Sequence, residues 1–144
     1  MQYERFGETI VLRLDPGEEI LSSVQDLCRK EAVALAQVNG LGAVGEAEIG
    51  VFDPQTKIYH TKHCCGSYEI ASLTGNITRQ QQEPYLHLHA VLGNVQTGEC
   101  WAGHLNRAVI SVTAELFLTV LPGEIQREMG PVGIRQLQFS HPKQ

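Results

Sequence analysis

The residues of this 144-residue chain best suited to chemistry are three histidines, His87, His89 and His104. The first two stand in the run Tyr85-Leu86-His87-Leu88-His89-Ala90-Val91-Leu92-Gly93. Successive side chains of a β-strand point to opposite faces, so Leu86, Leu88, Ala90 and Leu92 make a core face. Tyr85, His87, His89 and Val91 fall on the other, where two imidazoles two residues apart can hold one ion. The turn-forming segment Gly93-Asn94-Val95-Gln96-Thr97-Gly98 follows, then a second apolar run, Cys100-Trp101-Ala102-Gly103-His104-Leu105. If the two runs pair as a hairpin, His104 returns beside the other two. Three histidines from neighbouring strands with one open position form a catalytic-type zinc site. Spacing does not choose among Zn, Ni, Cu and Fe, and the same three residues would also suit a sheet face wetted by solvent.

Register decides between these readings. An even-length loop, such as residues 94–97, puts His104 on the histidine face and roughly opposite His87. An odd-length loop, 94–98, turns it away unless a bulge at Gly103 restores the face.

Other candidates have two readings each. Glu115, a carboxylate in an otherwise apolar and hydroxylated strand, can orient a ligand histidine or act as base toward a metal-bound water; it can equally be an exposed outward residue. Arg107 can fix an anion or form a surface or inter-subunit ion pair. His60 and His63, three apart, do not share a strand face, and with Cys64 and Cys65 they make a weak second site. Asn39 reads as a turn residue and Trp101 as core or interface. The dinucleotide and phosphate-loop glycine patterns and the Gly-x-Ser-x-Gly nucleophile turn are absent.

The elements that must position these groups are legible in outline. Residues 2–14 read as extended. Asp15 as cap, Pro16 in the first turn and Glu18 in a capping box predict a helix over residues 16–31, with Ile20, Leu21, Val24, Leu27 and Cys28 as its apolar stripe. Strands follow at 34–41, 43–52, 57–64, 67–78 and, after a polar loop at 79–83, in the histidine run. The last long strand, 109–121, turns Ile110, Val112, Ala114, Leu116, Leu118 and Val120 inward and Ser111, Thr113, Glu115 and Thr119 outward. The tail from Glu124 to Gln144 adds a short strand near residues 134–139. Many short strands and one helix predict an α+β fold, a mainly antiparallel β-sheet with one main helix on it, in a single domain over residues 1–144.

Composition narrows the function classes. A net charge of −5, with 11 Lys and Arg and no basic run longer than Arg29-Lys30, disfavours a free-standing DNA binder. Charged residues are only 19%, which suits a surface partly covered by other subunits. Cys28, Cys64, Cys65 and Cys100 form no disulfide framework, no basic-then-apolar leader opens the chain, and no window is apolar enough to span a bilayer. The expectation is a soluble, reduced, cytoplasmic protein with no membrane partner.

Leu86-His87-Leu88-His89, the glycine turn, Gly103-His104-Leu105 and Thr113-Ala114-Glu115 together resemble the plants-and-prokaryotes-conserved (PPC) domain. Val38-Asn39-Gly40-Leu41-Gly42-Ala43-Val44 followed by Gly50-Val51-Phe52-Asp53 is similar to that family's early glycine-rich strand pair. The resemblance runs over residues 5–121. It implies a homotrimer and, in stand-alone prokaryotic members, a metal on the positions of His87, His89 and His104, near a cleft between subunits. Plant relatives carry an AT-hook and bacterial ones are often labelled DNA-binding. This chain has no Arg-Gly-Arg-Pro hook, and Ala102-Gly103-His104 stands where relatives often have Gly-Gly-His.

The expected protein is therefore a small trimer carrying one divalent metal, zinc by ligand type, with Glu115 as catalytic or orienting partner and a small-molecule ligand at the open position. A DNA-associated regulatory module and a metal-dependent hydrolase or lyase are the alternatives.

Overall fold

Ile10, Leu12 and Leu14 alternate with more exposed neighbours, and that two-residue period makes a strand with one buried face. The computed structural model describes residues 1–139, which form β1 (Gln2–Phe6), β2 (Thr9–Leu14), α1 (Ile20–Lys30), β3 (Ala36–Asp53), β4 (Ile58–Gln80), β5 (Glu83–Gly93), β6 (Cys100–Val120), β7 (Gln126–Met129) and β8 (Arg135–Gln138). The tail read as 124–144 is thus described only to residue 139. All eight strands belong to one sheet, antiparallel except where Arg79 of β4 bridges Gln126 of β7. The α+β expectation of a mainly antiparallel sheet with one helix holds.

The helix begins later than its capping pattern predicts. Glu18 does reach back to the Asp15 amide at 2.8 Å, but Gly17 takes φ +87° and the chain turns there instead of coiling. Strand β6 claims the backbone of this segment: the Gly17 amide donates to the Ile110 carbonyl and the Ile110 amide to the Glu18 carbonyl, each at 2.9 Å. Glu19 then caps, its carboxylate accepting from the Leu21 and Ser22 amides and from the Ala108 amide of β6. Ile20, Val24, Leu27 and Cys28 are buried as the stripe requires.

Two expected strand breaks are absent. The pairs 34–41 with 43–52 and 57–64 with 67–78 are each one long strand, β3 and β4. Pairing slips at Gly40/Gly42 and Val44/Glu46 but resumes, because glycine lets a strand bend at a bulge without ending it. A further irregularity sets a two-residue step of β3, from Gly42 to Val44, against a four-residue step of β6, from Ala114 to Ile110. Alternation is lost there, so Val112 lies 65% exposed rather than inside.

Bent strands can close on themselves. β3 pairs with both β4 and β6, and β5 pairs with the same two strands, so β3, β4, β5 and β6 form a ring. Leu73, Ile77, Leu88, Leu92, Leu105 and Leu116 are buried in the cluster that this ring and α1 enclose. Each such side chain contributes about 1.5–3 kcal/mol by leaving water.

The hairpin joining β4 to β5 is two residues long, since Gln80 pairs with Glu83. Gln81 and Gln82 therefore both take positive φ, +50° and +71°, in a turn that favours Asn-Gly. Replacing Gln81-Gln82 by Asn-Gly is expected to stabilise the chain by about 1–2 kcal/mol. A urea midpoint at or below that of the parent chain would refute this strain assignment.

Candidate metal centre

Histidines 87 and 89 lie on β5, whose other face buries Leu88, Ala90 and Leu92. The link to β6 comprises residues 94–99, because Gly93 pairs with Cys100. This loop is even in length, as the histidine face requires, but two residues longer than the 94–97 loop considered from sequence. His104 consequently stands opposite His89 rather than His87. The extra pair is used in a turn in which the Asn94 carboxamide oxygen accepts from the Gln96 and Thr97 amides and the Asn94 amide donates to Glu99.

Close backbone approach fixes the rings further. A Cβ at Gly75 of β4 would lie 2.0 Å from the His87 carbonyl oxygen, and one at Gly103 would lie 2.7 Å from the Gly50 carbonyl oxygen. Glycine at both positions lets β4 and β3 close on the histidine strands. The ring centroids form a triangle of 5.2 Å (His87–His89), 5.1 Å (His87–His104) and 5.7 Å (His89–His104). One ligand nitrogen from each lies within 4.8 Å of the others, the sole such cluster of possible metal ligands among the described residues.

The histidines open into a cavity of about 460 Å³ that also touches Tyr59, Tyr85, Asn106 and Arg127. Tyr59 donates to the Asn106 carboxamide at 2.9 Å, and Asn106 donates in turn to Glu48 at 2.9 Å. The guanidinium of Arg127 lies over the Tyr85 ring and donates to Thr78 Oγ1 and Asn76 Oδ1. Its Nη2 is 3.4 Å from His87 Nδ1. Arginine has no acceptor, so this contact is a hydrogen bond only when Nδ1 carries its lone pair and the ring proton sits on Nε2.

The other sequence candidates fall elsewhere. Glu115 lines a separate cleft with Asn39, Leu41, Ser72 and Phe117. Eleven positions along β6 separate it from His104, on the order of 30 Å of strand, so within one chain it is not beside the histidines. Arg107 pairs with Glu46 on the surface, and His63 with Glu48 at 3.1 Å. Cys64 is buried and Cys65 exposed, pointing to opposite faces of β4. Trp101 packs on the core edge beneath the Lys62 ammonium. Arg127, Tyr59 and Asn106 are the members that sequence reasoning missed. Arg127 lies in a four-residue strand with no motif around it, and only the fold brings it to the histidines.

Burial lowers the pKa of His87 to about 4, and the neighbouring Arg127, His104 and His89 push the same way. Burial likewise lowers His104, with His89 and Arg127 adding to it. Both rings are thus held neutral, the state in which imidazole binds a metal, and the single His87 lone pair then serves either the Arg127 N–H or the ion, not both. Below the ordinary histidine value of 6.5 the unfolded chain binds more protons than the folded one. The stability these rings contribute is full above that pH and is lost as pH falls towards 4. Metal-free protein should therefore lose urea stability between pH 7 and pH 4.5, and His87→Gln should lose less over the same range. Equal losses in the two proteins would contradict this account.

Comparison with known proteins places the site in context. The family model of the Plants and Prokaryotes Conserved domain matches residues 1–122. Among solved structures, a proposed DNA-binding protein from Bacteroides thetaiotaomicron is 29% identical, with 97% of this chain and 98% of that one covered and a TM-score of 0.92. A plant- and prokaryote-conserved protein from Pyrococcus horikoshii is 30% identical, with 98% and 97% covered and a TM-score of 0.84. A metal-containing protein from Archaeoglobus fulgidus is 27% identical, with 96% and 99% covered and a TM-score of 0.85. The comparison with curated protein sequences gives no match. With the match spanning most of the chain and including all three histidines, the protein belongs to the Plants and Prokaryotes Conserved domain family.

Proposed function

We propose that this protein is a small homotrimer that binds one divalent metal, zinc by ligand type, per chain through His87, His89 and His104. The carrying observation is the convergence of three imidazoles, with one nitrogen of each within 4.8 Å of the others. Nitrogens on a tetrahedral zinc stand about 3.4 Å apart, so modest side-chain rotation closes the set. The donors fit the ion, and the description of the Archaeoglobus fulgidus relative as metal-containing supports the reading. A bound zinc with an open position would supply a Lewis acid and a water of lowered pKa. Around it, Tyr59 and Asn106 present polar groups to the cavity, and Tyr85 and Phe52 present aromatic ones.

The trimer reading rests on exposed apolar surface. Leu41 and Phe117, 55% and 49% exposed, flank the cleft that holds Glu115 and would be covered by a neighbouring subunit. In that assembly the site lies near a cleft between subunits, and Glu115 acts on a partner's site rather than its own. A DNA-associated regulatory role is the second reading, because relatives at 29% and 25% identity are described as proposed DNA-binding proteins. The net charge of −5 opposes it, since phosphate neutralisation supplies most affinity for duplex DNA. A metal-dependent hydrolase or lyase would use the same histidines. Among the described residues no helix is long and apolar enough to cross a membrane.

Elemental analysis should find near one equivalent of metal in the wild type and a loss of roughly ten-fold or more in His89→Ala. Equal metal content in both would remove the reading. Light scattering is expected to give three times the chain mass, and a monomer at micromolar concentration would refute the assembly.

A further inference from the structure

The cavity at the histidines has an unbalanced charge. Among the described residues its lining contains Arg127 and Arg135 and no aspartate or glutamate. Arg127 is only 8% exposed, and it forms no ion pair among the described residues. Its partners are the Thr78 hydroxyl at 2.9 Å, the Asn76 carboxamide at 2.8 Å, the Arg135 carbonyl at 3.3 Å and the His87 ring at 3.4 Å. All of these are uncharged. A guanidinium has five N–H donors, so this set leaves at least one without a protein acceptor. Buried charges are ordinarily paired, and a metal on the adjacent histidines would add two more positive charges.

We propose that the ligand of this cavity is a small oxyanion, a carboxylate or phosphate group, bound by Arg127 beside the metal. The inference rests on the metal reading for the second half of the site, but the arginine half stands on its own geometry. Thr78 and Asn76 hold the guanidinium in place, with its Cζ 4.8 Å from the centre of the Tyr85 ring. A guanidinium so held has one free N–H in the metal-free protein, and a second once His87 gives its lone pair to a metal; these are the donors for the oxygens of an acid group. The cavity volume of about 460 Å³ suits a small molecule. Because Arg127 is recessed in the cavity, it recognises a small acid rather than the backbone of a DNA duplex. The supplying strand, β7, lies beyond the residues 1–122 that match the family model, whereas the three histidines lie within them.

The probes are inorganic phosphate, propionate and the neutral analogue propionamide, titrated calorimetrically into wild type, Arg127→Met and Arg127→Lys. Metal content is measured on the same samples, and each titration is run on metal-free and zinc-loaded protein. Metal-free wild type is expected to bind phosphate or propionate and not propionamide, and the acid that binds identifies the group. Arg127→Met should weaken that binding about 30-fold or more while holding as much zinc as wild type. Arg127→Lys, which keeps the charge but not the fork, should fall between the two. Propionamide binding as well as propionate, no binding of either acid by wild type, or wild-type affinity in Arg127→Met would overturn the proposal. If Arg127→Met does not fold, the acid-against-amide comparison on wild type decides. Arginine-dependent anion binding by a protein that takes up no zinc would sink the metal reading and leave this one standing. Zinc uptake without anion binding would do the reverse.

Discussion

Closure of β3, β4, β5 and β6 into a ring is the constraint from which the other features follow. In an open sheet, β5 and the start of β6 would form a hairpin whose far edge was free. Here β4 takes the outer edge of β5, and β3 takes the outer edge of β6, so neither histidine strand can slide. A slip of one residue would exchange the faces of a strand and bury imidazole where Leu88 and Ala90 now pack. The register of the three rings is therefore held by the hydrophobic core. The close contacts at Gly75 and Gly103 are local conditions of that closure.

The electrostatics of the cavity follow from the same arrangement. The ring places three histidines at its edge and recesses two of them, which favours their neutral forms. The acidic groups of the chain lie elsewhere: Glu48 at the far end of the Asn106 contact, Glu115 in its own cleft, and Glu46 in a surface ion pair. The site that results is rich in donors and cations although the protein as a whole is acidic. Net charge describes what a chain repels at a distance and says little about a recess lined by a few side chains.

The histidine site was readable from sequence because it depends on local rules, namely two-residue alternation and loop parity. Those rules do not determine how many residue pairs a loop consumes, and the partner of His104 came out two positions away. The helix start was misplaced because Asp15 and Glu18 carry a true capping pattern, which tertiary hydrogen bonds from Ile110 converted into a turn. Breaks expected at Gly42 and Gly66 became bends, since a glycine marks backbone freedom without saying whether pairing resumes. Gln81-Gln82 gave no hairpin signal at all, and the closed sheet imposes that turn. Arg127 was invisible for a simpler reason. Its role arises from a contact with His87 across 40 positions of chain, and no periodicity records such a contact.

β7 and β8 join the rest of the sheet through a single backbone bridge at Arg79 and Gln126, beside the bonds of the Arg127 side chain to Asn76 and Thr78. The two halves of the cavity therefore differ in how freely their sequences can drift. Changes in the ring disturb the whole core, while changes in the appended hairpin fall mainly on one wall of the cavity. The wall carrying Arg127 and Arg135 can thus be altered within β7 and β8 while the register of the ring stays as it is.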